Sequence, residues 1–287
     1  ICSANRMTSI QPTASTVTAA AAAAPALQAV IFDVDGTLAD TERDGHRLAF
    51  NQAFARSGMD WEWSVGTYGE LLAVTGGKER IRHFAALRAP ELLKQPDSDA
   101  WLAALHQLKS DIYSELVRTG TIALRPGVAR LIRELHGAGV RLAIATTTTR
   151  SSLDSLLVAS FGDQARSLFE VIGAGDVVAD KKPAPDIYHW VLRRMRLPPA
   201  ACLAIEDSRP GILAASAAGV PTLITINTYT ADQDFGGALS VVTDLGEPAA
   251  PARSLGGQPL NGSCVDLAQL RDWHTKAAGS RRLSPAN

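Results

Sequence analysis

The sequence predicts an α/β fold: a doubly wound parallel sheet, with a helical insert directly after the first strand. Short apolar runs recur near Ala29, Arg141, Phe169, Cys202 and Thr222, and stretches of helical periodicity separate them. Strands that alternate with helices pair in parallel, because each helix carries the chain back across the sheet. From Leu38 to Arg125 only helical patterns occur, so this segment is read as an insert.

The first run, Ala29–Phe32, reads as a buried strand that stops at Asp33. Asp35 follows on the same face of the extended chain. Gly36 permits a tight turn, and Thr37 adds a hydroxyl. A buried strand therefore delivers two carboxylates at its C-terminal end, where open α/β sheets bind ligands. Like charges so close are costly unless a cation or a shared proton compensates. Metal-assisted phosphoryl chemistry supplies such a reason. An EF-hand calcium loop is excluded, because Thr37 and Leu38 lead into apolar sequence where that loop needs further oxygen ligands.

Helices are predicted over Glu42–Ser57, through Ile81, Phe84 and Leu87 to Pro90, and over Trp101–Arg118. Thr75-Gly76-Gly77-Lys78 breaks this series, and Pro126-Gly127 closes the insert. A helix then runs from Val128 to Gly137. The strand Arg141–Ala145 ends in four threonines, Thr146–Thr149. A helix near Leu153–Phe161, a strand near Phe169–Ile172 and a helix from Ala184–Asp186 to Arg196 follow. Cys202–Ile205 is a further buried strand, ended by Glu206-Asp207-Ser208. A helix through Ala218 leads to the strand Thr222–Ile226. Val241–Val242 adds a short strand, the last sixth is glycine-rich, and Val265–His274 forms a final helix. The expected domains are thus a core over 29–39 and 126–287 and a helical insert over 40–125. The two crossings, Leu38–Thr41 and Pro126-Gly127, are the expected hinges.

Composition bounds the function. A chain of 287 residues with 46% hydrophobic and 20% charged residues suits a globular protein of about two domains. A formal net charge of −1 gives no sign of a nucleic-acid or membrane-surface partner, so local Lys and Arg must meet any anionic substrate. The three cysteines, Cys2, Cys202 and Cys264, form no CxxC pair, which argues against a thiolate metal site or a disulfide framework. Residues 1–28 contain Arg6 but no Asp or Glu, and are rich in Ser, Thr and Ala. They read as a disordered tail or part of an organelle transit peptide. No apolar stretch is long enough to span a bilayer.

Four segments bring polar groups to strand ends: Asp33 and Asp35, Thr146, Lys182 before Pro183, and Glu206-Asp207. Singly, the last three read as a polar loop, a solvated charge and a helix N-cap. Their joint order on one alternating pattern points to one site. An Asp carboxylate can attack phosphorus, and Asp33 is the expected nucleophile. A phosphate dianion repels it, so the site needs Mg²⁺ and a Lys to cancel charge. Asp33, the Asp35 main-chain carbonyl and Asp207, with Glu206 beside it, are the expected oxygen ligands. Asp35 is the expected acid and base. Thr146 and the Thr147 N–H are expected to hold phosphoryl oxygens, and Lys182 to offset charge.

Asp33–Thr37 (DVDGT), Thr146, Lys182 and Glu206–Ser208 (EDS) resemble the four motifs of the haloacid dehalogenase superfamily. The resemblance runs from Ala29 to Ile226 and implies a Rossmann-like core with Mg²⁺. The insert resembles a helical cap of the β-phosphoglucomutase-like subgroup. Thr41–Asn51, Thr75–Ile81 (TGGKERI), Gly175–Tyr188 and Val241–Pro248 resemble the CbbY family of sugar-bisphosphate phosphatases. That family implies xylulose 1,5-bisphosphate, a Rubisco inhibitor, as substrate. A plastid setting agrees with the N-terminal composition, so the chloroplast stroma is the expected location, with the cytoplasm as alternative. Asp35 argues for phosphate chemistry, since the superfamily's dehalogenases generally lack the second Asp.

Insert residues are expected to read the sugar. Glu42 and His46 are four apart on one predicted helix face. Lys78, with Thr75 and the Gly76-Gly77 backbone, suits a distal phosphate, and Arg82 lies one turn beyond Lys78. Gly-Gly-Lys here is not a Walker A loop, because the upstream Gly and the following Ser/Thr are absent. The leading expectation is a monomeric Mg²⁺-dependent phosphatase. A β-phosphoglucomutase and a non-catalytic sugar-phosphate binder are the alternatives.

Overall fold

In the computed structural model, which describes residues 25–74 and 76–283, β1 (Ala29–Phe32) is an interior strand of the sheet. Its neighbours are β2 (Arg141–Ala145) and β4 (Cys202–Glu206), both parallel to it. With β3 (Val171–Gly173), β5 (Thr222–Thr225), β6 (Ser240–Val242) and β7 (Ser254–Gly257) the order is β3-β2-β1-β4-β5-β6-β7. Only the β6–β7 pair is antiparallel among the described strands. The chain builds β2 and β3 outward on one side of β1, then returns to place β4 on the other. Loops leaving β1 and β4 therefore diverge, which opens a crevice at their C-terminal ends.

Alternation along β1 explains the two layers. Val30 and Phe32 face one side of the sheet, with α5 (Val128–Gly137), α6 (Arg150–Phe161) and α10 (Leu267–Leu283); Ala29 and Ile31 face the other. There they meet α8 (Asp186–Met195) and α9 (Arg209–Ala217). The small residues Ala143, Ala145, Ala204, Ala214 and Ala215 let these helices approach closely. A short helix, α7 (Ala165–Leu168), lies between α6 and β3.

The insert holds a π-helical turn, Thr41–His46, then α1 (Arg47–Arg56), α2 (Val65–Leu71), α3 (Gly77–Arg88) and α4 (Ser98–Arg118). Its core is aromatic. Trp63 stands 4.6 Å from Phe50, 4.9 Å from Phe54 and 5.4 Å from Phe84 between ring centroids. Asn51 pins the extended segment, accepting from Trp63 N at 2.8 Å and donating to Trp63 O at 3.0 Å.

Several expectations shift. The predicted first helix begins as a π-helical turn, a feature that periodicity does not signal and that is frequent at functional sites. The strand expected near Phe169–Ile172 is Val171–Gly173, because buried Phe169 packs edge-on to Phe32 before the ladder starts. Strand β7 and helix α2 were not expected. β7 is exposed and lacks apolar alternation, and α2 carries two glycines. The final helix runs well past His274. Leu27 and Gln28, assigned to the N-terminal tail, belong to the fold: Leu27 is buried and Gln28 N donates to Ala201 O at 2.8 Å. The transit-peptide expectation otherwise falls on residues 1–24, outside the described residues.

Both crossings converge on Arg125, which is buried. Its N–H donates to Leu38 O at 2.8 Å, and its guanidinium donates to the carbonyls of Gly36, Thr225, Ile226 and Thr243. Nε pairs with Asp40 Oδ1 at 3.3 Å. Removing it leaves buried carbonyls unpaired. Arg125→Ala is expected to cost about 3–5 kcal/mol, read as a lower urea midpoint. An unchanged midpoint refutes the assigned role.

Candidate active site

Register builds the site. Phe32 is level with Ile144 and Ile205, so Asp33, Ala145 and Glu206 follow at one height on three adjacent strands. Lys182 Nζ sits among them. It donates to Asp33 Oδ1 at 2.7 Å, Glu206 Oε1 at 2.6 Å and Ala145 O at 2.8 Å. Tyr188, in the first turn of α8, donates to the same Glu206 oxygen at 2.6 Å. Burial alone lowers a lysine's pKa, yet Asp33 and Glu206 together hold that of Lys182 above its usual value. It is therefore a fixed ammonium against Asp33.

Asp35 is arranged differently. Its Oδ1 accepts from Thr41 at 2.6 Å and its Oδ2 from the Thr148 hydroxyl. Burial, then the Asp33 charge, pushes its pKa up to about 7. One carboxyl is thus paired with an ammonium, while its neighbour can carry a proton near neutral pH. This is the division of roles that acid–base catalysis requires. Thr146 is buried and its Oγ1 accepts from Thr148 N at 3.2 Å, while Thr147 is exposed beside it.

Asp33, Glu206 and Asp207 offer carboxylate oxygens within 4.8 Å of one another. Three carboxylates against the one Lys182 ammonium leave a formal −2. Glu206 Oε2 is buried without a hydrogen-bond partner. Burial, then Asp33 and Glu206, raises the Asp207 pKa, as expected of negative charge awaiting a cation. An all-oxygen donor set with that deficit fits a hard divalent ion such as Mg²⁺. The Asp35 carboxyl stands outside this trio, engaged by Thr41 and Thr148. Asn227 Nδ2 holds Asp207 Oδ2 at 2.7 Å. Two glycines make room: a Cβ at Gly36, whose φ is +84°, falls 2.2 Å from Asp207 Oδ2, and one at Gly211 falls 1.9 Å from Glu206 Oε2.

Beside these carboxylates, a cleft of about 350 Å³ lies between sheet and insert, lined by Asp35, Glu42, Arg43, Asp207, Asn227 and Tyr229 among others. Glu42 Oε2 accepts from Tyr68 OH at 2.5 Å, and Arg80 Nη1 donates to the same hydroxyl at 3.0 Å. His46 stacks on Tyr113 at 3.9 Å, and its Nδ1 lies 2.7 Å from Lys109 Nζ. Burial, then the Lys109 charge, holds the His46 imidazole well below its usual pKa. Because an ammonium can only donate, Nδ1 accepts and the proton of neutral His46 is on Nε2.

The expected sugar-reading residues are not all brought together. Gly76 (φ +96°) and Gly77 open α3, where a Cβ at Gly77 falls 2.4 Å from His106 Nε2. Lys78 is exposed in that first turn. Thr75 lies outside the described residues. Arg82 forms an exposed ion pair with Asp99 at 2.6 Å; Arg80, two residues earlier and so on another face of α3, takes the inward position. Sequence reasoning did not single out Tyr68, Arg80, Lys109 or Tyr188; Arg80 and Tyr188 lie inside the Thr75–Ile81 and Gly175–Tyr188 stretches, but nothing in those stretches set them apart from their neighbours. It also missed Asn227, although a polar residue closing a buried strand was the signal used elsewhere.

Gly36→Ala is expected to push Asp207 from its place. Mg²⁺ affinity, measured by titration calorimetry, should fall roughly 10- to 100-fold, and unaltered affinity refutes this account of Gly36.

A sequence profile described as haloacid dehalogenase-like hydrolase matches residues 27–219. The chain is 48% identical over 251 residues to a plasmid-encoded CbbY protein of Cupriavidus necator, covering 86% of this chain and 97% of that one. It is 37% identical to a CBBY-like protein of Arabidopsis thaliana, covering 77% and 70%. It superposes with a TM-score of 0.63 on a mutant CbbY of Rhodobacter sphaeroides solved with xylulose 1,5-bisphosphate, at 44% identity, covering 78% and 98%. Together with the carboxylate pair, the Lys182 ammonium and the acidic trio, these matches show that the chain belongs to the haloacid dehalogenase-like hydrolase family, as a CbbY-like phosphoric monoester hydrolase.

Proposed function

We propose that this hydrolase is a Mg²⁺-dependent sugar-bisphosphate phosphatase whose substrate is xylulose 1,5-bisphosphate. The observation that carries the chemistry is Asp33, buried and held by Lys182 beside an Asp35 carboxyl of raised pKa. The substrate is supported by the sugar bisphosphate bound to the Rhodobacter sphaeroides relative.

Asp33 attacks the phosphorus, and the bond to the leaving sugar oxygen breaks as Asp35 delivers its proton there. The product is an aspartyl-phosphate. Asp35, now a carboxylate, takes a proton from water, whose oxygen attacks the same phosphorus and releases Asp33. Lys182 holds Asp33 in place and offsets charge on the phosphoryl oxygens. Thr146 and the Thr147 N–H hold those oxygens. Asp33, the Asp35 main-chain carbonyl and Asp207, with Glu206 beside them, would hold Mg²⁺, and Glu206 also orients Lys182. The ion, when bound, neutralises phosphate charge as a Lewis acid.

Residues 29–39 and 126–287 serve as the core domain, and residues 40–125 as a cap. The cap's cations face the distal phosphate: Lys78 in the Gly76-Gly77 turn, with Arg80 and Lys109 behind it. Glu42 takes a sugar hydroxyl. The protein acts as a monomer in the chloroplast stroma, a placement supported by the acid-poor N-terminal composition and a plant relative.

Asp33→Asn should abolish phosphate release while leaving Mg²⁺-dependent substrate binding intact. Residual turnover at wild-type rate removes Asp33 as nucleophile. Asp35→Asn should slow turnover by roughly 10²–10⁴. A panel with Mg²⁺ tests the substrate: xylulose 1,5-bisphosphate, ribulose 1,5-bisphosphate, fructose 1,6-bisphosphate and β-glucose 1-phosphate with its bisphosphate activator. Preference for the first supports the proposal. Glucose 6-phosphate without free phosphate marks a mutase, and inactivity throughout marks a binding protein.

A further inference from the structure

The loop after β5 reaches from the acidic trio to the insert. At its start Asn227 Nδ2 holds Asp207, and Asn227 Oδ1 accepts from Tyr229 N at 2.9 Å. The Tyr229 ring then meets the insert at the cleft wall. It packs 5.9 Å from the Tyr68 ring and lies over Gly69, where a Cβ would stand 3.2 Å from its Cδ1. Arg43 donates to the adjacent Thr228 hydroxyl at 3.4 Å. The aim of the phenol is therefore fixed from three sides.

Its hydroxyl is buried without a hydrogen-bond partner among the described residues, and Tyr229 lines the cleft together with Asp35 and Glu42. A buried phenol normally finds a partner. The charged groups around it are Glu42, Asp44, Arg43 and Arg47, and burial raises its pKa, so it remains a neutral O–H. The nearby wall also carries Asp40. Such surroundings, carboxylates opposed by arginines, do not favour a phosphate dianion. They suit a neutral hydroxyl, which can both donate and accept.

We propose that Tyr229 is a substrate-selecting residue, whose phenolic oxygen takes up a hydroxyl of the sugar chain held between the phosphate sites. This rests on the sugar-phosphatase reading. A site built to hydrogen-bond a hydroxyl discriminates against substrates that lack it, because its own polar group is then left unpaired. Tyr229 also stands on the loop that positions Asp207, so an occupied hydroxyl site and an ordered acidic trio favour one loop conformation.

The test compares wild type and Tyr229→Phe, which keeps the ring packing, with Mg²⁺ on xylulose 1,5-bisphosphate and on p-nitrophenyl phosphate. The ratio of kcat/KM between the two substrates should fall roughly tenfold in the variant. A ratio that stays the same overturns the proposal, whether both activities fall together, as for a merely structural role, or neither does. If wild-type enzyme hydrolyses p-nitrophenyl phosphate without preferring the bisphosphate, the sugar-phosphatase reading fails and takes the proposal with it.

Discussion

Lys182 against Asp33 and Glu206 is the interaction on which the site depends. All three side chains are nearly or fully withdrawn from water. Burying an ammonium and carboxylates carries a desolvation cost that only short, well-directed contacts offset. The sheet supplies that geometry: Asp33 and Glu206 end adjacent parallel strands, and Ala145 O on the third accepts the remaining donor of Lys182. The ammonium satisfies one negative charge and leaves Glu206 and Asp207 in excess. The same cluster that holds Asp33 thus retains an unbalanced charge of the sign a metal ion cancels. Asp35 answers to that field too, since the Asp33 charge adds to burial in lifting its pKa. Asp33, Asp35, Lys182 and the Glu206-Asp207 pair are one electrostatic unit.

Backbone space is the second constraint. Asp207 and Glu206 occupy volume that any side chain at Gly36 or Gly211 would take. The turn after β1 consequently serves three ends. It reverses the chain into the insert, brings its Gly36 carbonyl to Arg125, and leaves room for a carboxylate. Arg125 fastens both crossings to the end of β5, so a moving insert would pivot about a fixed point beside the site.

The core half of the site was legible in the sequence. Apolar strands that stop abruptly at Asp33, Thr146 and Glu206 name their own position, because a buried strand presents polar groups only at its ends. The insert half was not. Arg82 was singled out from its spacing to Lys78, yet it pairs with Asp99 on the surface while Arg80 reaches Tyr68. Spacing fixes which residues share a helix face, but not which face meets the cleft. His46 was singled out from the sequence as well, but its tautomer depends on Lys109, which is 63 positions away.

The sequence by itself determined the alternating α/β order, the acidic strand ends and the helical insert, because local periodicity and abrupt polarity changes encode them. Tertiary structure alone decided which charges meet. Lys182 joins Asp33 across 149 positions, Tyr229 crosses from the sheet to Tyr68, and Arg125 gathers carbonyls from separate loops. Strand register and the packing of insert on sheet set those distances, and neither is a property of any local stretch of chain.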